Sequence, residues 1–460
     1  MLSDALLLEL RSLLPHCVST DAATLLAASL DASDVQGACS AVVRVASEED
    51  VVRLLRWAEE RRVAIVPRGA ATSATGAARP MPGSVALDLR GLNRILDLDA
   101  RDMVAVVEPG VITATLQRAA EAEGLLYPPD PASAAECTLG GNVATCAGGL
   151  RAVKYGVTRD YVLGLRCVLP GGRILECGGR NLKDVTGYDL TRLLTGSEGT
   201  LAVFTRIVLK LVPLPPAHGT LLCSFADEDG AFTAADAILA AGLWPRALES
   251  MDEPAARLAA AGAGLELLPE TRSQLLVELD GEATSVREAM ERLRLLLGKT
   301  CLDCRDVSSG EAFAAVWQGR RGISRAARAL APAKHSEDIG VPRGKLALVV
   351  RQLKELGRAH GIPMLIYGHA GDANLHCNFL HDPGGEGADR RLDACVRGAW
   401  ELVLSHGGTL TGEHGVGLRK RDELPRILGA ERMRLMHAIK QAFDPGNIMN
   451  PGKVLRENQA

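Results

Sequence analysis

Aromatic side chains make up only 3% of the chain, too few to build a base-stacking platform for nucleic acid. No charge of either sign dominates. Lys and Arg total 52 against 56 Asp and Glu, a net charge of −4 over 460 residues, so electrostatics make no case for a polyanionic partner. No apolar run reaches the roughly 18 residues that a membrane-crossing helix needs. Cysteine is neither dense nor paired: the eleven are scattered and odd in number, and only Cys301 and Cys304 form a C-x-x-C. No second pair follows to complete a zinc site, so ordinary reduced thiols in the cytoplasm are expected. The dinucleotide fingerprint is also missing. "GAATSATG" lacks G-x-G-x-x-G, and no P-loop of the form G-x-x-x-x-G-K-S/T occurs.

What is present is a long, 47% hydrophobic chain with material for two or three domains. In "MLSDALLLELRSLLPHC", Leu6, Leu10, Leu13 and Leu14 recur at helical spacing among Asp4, Glu9 and Arg11. That is an amphipathic helix rather than a signal peptide, and it leaves peripheral contact with the inner face of a membrane open. "SAVVRVASEEDVVRLLRWAEERRVAIVPRG" reads strand, helix, strand, with Ser47 as N-cap and Pro67 stopping the second strand. Strand-like runs dominate to about residue 213: "SVALDL", "MVAVVEPG", "VLGLRCVLPGG" and "TLAVFTRIVLKLVPL". "LVPLPPAHG" is the clearest linker. Beyond it, "GTLLCSFAD" and "SQLLVELDG" border Ala/Leu/Arg-rich helices, "PMLIYGH" and "ANLHCNFL" add strands, and "AERMRLMHAIKQAF" is a last helix.

Three loops in the first part are rich in small residues: "PRGAATSATGAA", "PASAAECTLGGNVATCAGG" and "LLTGSEGTLAVFT". Small residues let backbone N–H groups approach a ligand, as in a pyrophosphate cradle, and Arg68 adds positive charge to the first. Any one of them reads as a tight turn. Three together favour a cofactor whose identity the pattern does not supply.

The ten histidines cluster instead of spreading. "GHAGDANLH" sets His369 and His376 at the ends of two strand-like runs. An antiparallel hairpin on the intervening turn is expected to place them directly opposite each other, with Cβ atoms about 4.5–5.5 Å apart. Two imidazoles could then share a divalent ion, with Asn378 facing the same way. In "TGEHGVG", Glu413 is a candidate third ligand and His414 a candidate base. A hydrogen-bonded histidine pair and an exposed Glu-His turn is the plainer alternative.

Taken together, these segments resemble the FAD-binding subunit of glycolate oxidase and the FAD-linked D-lactate and D-2-hydroxy-acid dehydrogenases. The resemblance runs from about residue 40 to 453 through "VPRGAATSATGAA", "YPPDPAS", "CTLGGNVATCAGG", "KYGVTRDYVLGLRCVLPGG", "NLKDVTGYDLTRLLTGSEGTLAVFT", "GHAGDANLH", "TGEHGVG" and "FDPGNIMNPGKV". It implies an α+β chain of the vanillyl-alcohol oxidase type. A PCMH-type FAD-binding domain would span 1–216, a substrate (cap) domain with an antiparallel sheet 217–410, and 411–460 would return to the first domain. FAD would be held noncovalently. By the same resemblance, Arg68, Gly69, Ala70, Ala71, Thr72, Ser73 and Gly76 form the pyrophosphate loop, and Pro129, Asp130 and Ser133 lie beside it. Thr138, Gly140, Gly141, Asn142, Ala144, Thr145, Gly148 and Gly149 form a second flavin loop. Glu198, Gly199 and Val203 form a third, and Asn450 belongs to the tail near the flavin ring. His369, His376 and Glu413 would bind zinc or manganese, and His414 would be the base. Arg320, in "WQGRRGIS", would grip a substrate carboxylate with Asn378 and Ser324 assisting.

Three departures from the family pattern stand out. Ala70, Ala71, Ser73 and Ala77 replace glycines in the first loop, Cys146 stands where Asn is common, and Ala373 replaces a glycine in the histidine turn. Ser336 or His335 stands where some relatives carry a lysine before "DIGVP", which favours a small monocarboxylate. The implied reaction is oxidation of a D-2-hydroxy acid such as D-lactate or glycolate. An iron–sulfur subunit, an electron-transfer flavoprotein or a quinone would take the electrons. A metal-dependent hydrolase and a flavin-bearing electron-transfer subunit are the rival readings. Nothing in the sequence decides between a monomer and a homodimer.

Overall fold

The computed structural model describes residues 1–33 and 36–456. They divide into two compact units: Met1–Ala147 with Val157–Leu214 and His414–Ala460, and Gly148–Gly156 with Pro215–Glu413.

The first unit begins with the expected amphipathic helix, Asp4–Leu13, capped by Ser3. Its Leu10 and the following Leu14 are buried in an apolar cluster with the helix Glu48–Arg61. That second helix starts in a full capping box, with the Ser47 side chain on the Asp50 N–H and the Asp50 carboxylate on the Ser47 N–H. It buries Val51, Val52, Leu54, Leu55, Trp57 and Ala58, at about 1.5–3 kcal/mol for each large apolar side chain. The cluster includes the strands Ala41–Arg44, Val85–Asp88 and Ile65–Arg68, which pair in parallel in that order. Pro67 does not stop its strand, which continues through it to Arg68. The strand is last in its sheet order, where a missing N–H breaks no ladder. Its outer side is met by the chain's return, with the Ile65 N–H on the Ile448 carbonyl and the Asn450 N–H on the Ile65 carbonyl. A second, antiparallel sheet orders Ile95–Asp99, Val104–Val107, Val203–Lys210, Val162–Val168 and Ile174–Gly178. The last helix runs Leu424–Phe443 and so starts before the expected Ala430, because a turn precedes Gly429, whose φ of 75° interrupts it.

The second unit is built on a seven-stranded antiparallel sheet. Its order is Asp303–Asp306, Ala217–Phe225, Ser273–Gly281, Ala247–Asp252, Met364–His369, Asn374–His381 and Ala333–Gly340. Side chains alternate between two cores. Leu221, Cys223, Leu275, Val277 and Ile366 face the helices Gly230–Ala240, Ala283–Leu297, Leu346–His360 and Ala388–Ser405. Leu222, Leu276, Leu365 and Tyr367 face Glu253–Ala263 and Gly310–Ala326. Residues 148–156 join this unit although the linker lies sixty residues further on. Leu150 is buried in the second of these cores, and Lys154 and Tyr155 both bind the Asp280 carboxylate. No helix among the described residues is long and apolar enough to cross a membrane.

Candidate functional site

The histidine hairpin forms, but its register differs from the expected one. His369 pairs with Asn374, and His376 pairs with Tyr367. The four residues 370–373 form the turn, so the two histidines are diagonal rather than directly opposed. Period-two alternation still puts them on one face, and their ring centroids are 5.2 Å apart. Glu413 completes a cluster whose ligand atoms all lie within 4.8 Å of one another. Its Oε1 is 3.5 Å from Nε2 of both His369 and His376.

Behind this cluster stands a residue that the sequence reading missed. Glu249, fully buried on Ala247–Asp252, lies with Oε1 2.8 Å from His369 Nδ1. Its other oxygen accepts from Arg320 Nη2. One carboxylate therefore orients an imidazole with Nε2 toward the cluster and also anchors the arginine expected to grip substrate. Burial raises the Glu249 pKa, but Arg320 and His369 outweigh it and hold the carboxyl below its ordinary value. Burial likewise pulls His369 down, and Glu249 and Glu413 outweigh it, holding the imidazole well above its ordinary value. A field that favours a proton there favours a cation too.

Arg320 is 3% exposed, stacks 4.7 Å over the Tyr367 ring, and leaves Nε without a hydrogen-bond partner among the described residues. Tyr367 in turn lies 5.1 Å from the His376 ring. Asn378 is buried on the histidine face, accepting from Ser336 Oγ and donating to the Leu365 carbonyl at 3.3 Å. Ser324 is exposed and accepts from Lys334, which lies on the same sheet face as Ser336 and Asp338. Asp338, also unforeseen, fastens Glu413, the third candidate ligand. Its Oδ2 accepts from Thr411 Oγ1 and from the Gly412 and Glu413 N–H groups at 2.9–3.1 Å. Gly148, expected in a flavin loop, packs against Glu413 here; a Cβ would lie 2.7 Å from Glu413 Oε2. Asp372, in the turn, is pushed up to about 6 by burial, partly countered by His369.

In the first unit, four segments far apart in sequence meet. A Cβ on Gly69 would lie 2.1 Å from Thr138 Oγ1, so the first loop presses on the second. The Glu198 N–H donates to the Ala144 carbonyl at 2.7 Å, joining the second to the third. The Glu198 carboxylate accepts from the Val416 and Gly417 N–H groups at 2.8 and 2.9 Å, and Asn450 Nδ2 donates to the Ala77 and Glu198 carbonyls. These bonds bring in the C-terminal return. Within the second loop, Gly140 lies against Pro109, Asn142 donates to Thr113, and Thr145 donates to the Gly141 carbonyl. Pro129 accepts from Gln117, Asp130 is buried, and the Ser133 carbonyl accepts from the Glu136 and Cys137 N–H groups, whereas Gly149, with φ 138°, belongs to the second unit. Val203 is in the apolar cluster, and Gly199 packs on Pro67. Arg68 is buried and closes its own loop, donating to the Ala78 and Leu30 carbonyls. The N–H groups of Ala70, Ala71, Thr72, Ser73 and Ala74 have no partner among the described residues, and neither does the buried Ser197 Oγ. A row of unused donors in a half-buried loop fits the phosphates of a dinucleotide. His414 opens the return, with its carbonyl accepting from Thr75 Oγ1 at 3.3 Å.

Ala71 holds φ 57°, a conformation that costs a residue with a Cβ roughly 1–2 kcal/mol. Ala71→Gly is therefore expected to stabilise the protein by about 1 kcal/mol, less the entropy glycine adds to the unfolded chain, and to slow FAD loss on dilution. Ala70→Gly, with no positive φ to relieve, should do neither; equal effects in thermal unfolding would dismiss the strain. Burial also pushes the Glu198 carboxyl from 4.5 up to about 7, against the Val416 and Gly417 N–H groups and Lys453. A group that binds its proton more tightly folded than unfolded contributes its stability below pH 4.5 and loses it as pH rises through 7. In flavin-free protein, the stability of wild type relative to Glu198→Gln should fall between pH 5 and 8, by roughly 3 kcal/mol in urea unfolding at most.

Comparison with known proteins matches the chain to two family models and to curated relatives. Residues 39–178 match the family described as FAD binding domain, and residues 214–454 match FAD linked oxidases, C-terminal domain. The glycolate oxidase subunit GlcD of Bacillus subtilis (strain 168) is 39% identical over 91% of this chain and 89% of its own. The D-lactate dehydrogenase of Anaerostipes hadrus is 33% identical over 90% and 89%, and the D-2-hydroxyglutarate dehydrogenase of Stutzerimonas stutzeri (strain A1501) 33% over 99% of both. Among solved structures, p-cresol methylhydroxylase with substrate bound superposes with a TM-score of 0.82 at 18% identity, over 100% of this chain and 99% of that one. The expected fold is the observed one.

Proposed function

Because the chain belongs to the FAD-linked oxidases, with both their FAD-binding and their C-terminal domain, and is thus an FAD-linked oxidoreductase, we propose the following reaction. It oxidises a small D-2-hydroxy acid, D-lactate or glycolate, to the 2-oxo acid. The first unit holds FAD through the 68–76, 138–145 and 198–203 segments and Asn450. His369, His376 and Glu413 hold a divalent ion, zinc or manganese, for which two imidazoles and a carboxylate are a fitting donor set once the ion displaces the proton that His369 favours. One observation supports the reading most: Glu249 anchors both His369 and Arg320. A cation site and a guanidinium tied to one carboxylate suit a ligand with a hydroxyl and a carboxylate on adjacent carbons.

When bound, FAD supplies the two-electron acceptor for the hydride from Cα, and the ion supplies a Lewis acid that lowers the pKa of the α-hydroxyl. The protein's own groups do the rest. Arg320 binds the substrate carboxylate, using the Nε that has no hydrogen-bond partner among the described residues, and so fixes Cα. Asn378 and Ser324 assist around it. His414 takes the hydroxyl proton on its imidazole. Three relatives are named as glycolate oxidase subunits, which supports a partner carrier for the electrons: an iron–sulfur subunit, an electron-transfer flavoprotein or a quinone.

Anaerobic bleaching of the flavin absorbance tests this. D-lactate, L-lactate, glycolate and D-2-hydroxyglutarate are added separately, with and without a chelator. Bleaching by D-lactate or glycolate, slowed by chelation and restored by zinc or manganese, is expected. Bleaching that ignores the chelator would remove the metal, and a yellow protein that none of the acids bleaches would remove the substrate class.

A further inference from the structure

The flavin and metal readings leave the C-x-x-C unused, and the fold gives one of its cysteines a partner that sequence spacing does not suggest. Cys304 lies on Asp303–Asp306, the edge strand of the seven-stranded sheet, directly across from Cys223 on Ala217–Phe225. Antiparallel pairs alternate between hydrogen-bonded and non-hydrogen-bonded positions. The Val307 N–H donates to the Thr220 carbonyl at 3.0 Å, so Thr220 and Val307 form a hydrogen-bonded pair. Three positions on, Cys223 and Cys304 form a non-hydrogen-bonded one. Such pairs bring Cα atoms to about 4.5 Å, within the span of a disulfide. The two Sγ atoms are 2.8 Å apart, against about 2.05 Å for the covalent bond.

The two thiols are not equivalent. Cys223 is fully buried in the apolar cluster, whereas Cys304 is half-buried on the edge strand. A hydrogen bond from Cys223 holds the Cys304 thiol below its ordinary value despite burial, with Arg294 adding to it, while the same contact and burial push Cys223 up. Cys301 precedes the strand and stands outside its pairing register.

We propose that Cys223 and Cys304 form a thiol–disulfide redox site, oxidised by a small-molecule disulfide, with Cys301 remaining a thiol. The Cys304 thiolate attacks one sulfur of the disulfide RSSR; a Cys304–SR bond forms, the RS–SR bond breaks, and RS⁻ leaves. Cys223 attacks the Cys304 sulfur, its proton passes to the second departing RS⁻, and the cross-strand disulfide closes. Two cysteines are oxidised and one RSSR is reduced to two RSH. The linkage would staple the edge strand to its neighbour.

The test uses the full-length protein, reduced with dithiothreitol, desalted, exposed to glutathione disulfide and quenched with iodoacetamide. Peptide mapping without reduction should show two of the eleven thiols lost. It should also show a Cys223–Cys304 linked pair, Cys301 alkylated, and full reversal by dithiothreitol. Cys301→Ser should keep the linkage and Cys304→Ser should abolish it. A Cys301–Cys304 linkage, a stable Cys304–glutathione adduct, or eleven alkylated thiols would each overturn the proposal. The wild-type map and Cys301→Ser decide the matter even where Cys304→Ser folds poorly.

Discussion

Changing His376 to alanine is expected to lower turnover of a 2-hydroxy acid by roughly a thousandfold while the protein stays yellow. His376 supplies one of three converging candidate ligand atoms, with Nε2 3.5 Å from Glu413 Oε1. With it gone, one imidazole and one carboxylate remain, too few to hold a divalent ion against water. The loss of a Lewis acid at a reacting hydroxyl is worth several kcal/mol. Flavin should stay, because the 68–76, 138–145 and 198–203 segments and Asn450, proposed to hold it, are in the first unit and His376 is in the second. Metal content by mass spectrometry and the 2-hydroxy-acid turnover rate are the two measurements. Metal lost with turnover intact would separate the ion from the reaction. His369→Ala should have the same catalytic effect with a further loss of stability, since Glu249 then keeps only Arg320.

The second large effect is at Glu249 itself. It is fully buried and holds two cationic or cation-binding partners, so Glu249→Ala strands the Arg320 guanidinium in the core. Breaking a buried pair from one side costs roughly 3–5 kcal/mol, which should appear as a lower urea midpoint with an unchanged slope. Glu249→Gln keeps the volume but loses the charge, and should weaken metal affinity by roughly 10–100-fold and raise KM together with it. Replacing both partners with apolar residues, Glu249→Leu with Arg320→Met, should recover much of the stability but none of the activity. An unchanged midpoint in Glu249→Ala would mean that this carboxylate does not carry the buried charge pair.

Most strands and helices could be read from local pattern because their cause is local. Val51, Leu54, Leu55 and Ala58 recur at helical spacing behind a Ser N-cap, and the helix is there from Glu48 to Arg61. Pro67 misled because its effect depends on sheet position, which neighbouring residues do not encode. The histidine register slipped by two for a similar reason. A shift of two residues keeps every side chain on its face, so alternation alone cannot detect it; the four-residue turn decides.

By itself, the sequence determined the element types, the small-residue loops, the pairing of His369 with His376 on one face, and the family. Those follow from periodicity and from motifs a few residues long. Tertiary structure decided which carboxylates serve the histidines. Glu249 stands 120 residues before His369 and Asp338 75 before Glu413, and each looks like an ordinary acid in its own strand. It also decided that Cys304 faces Cys223 across a sheet edge, 81 residues away. Partners of this kind are chosen by strand order and register, which are set by the burial of whole sheet faces and not by any short stretch of residues.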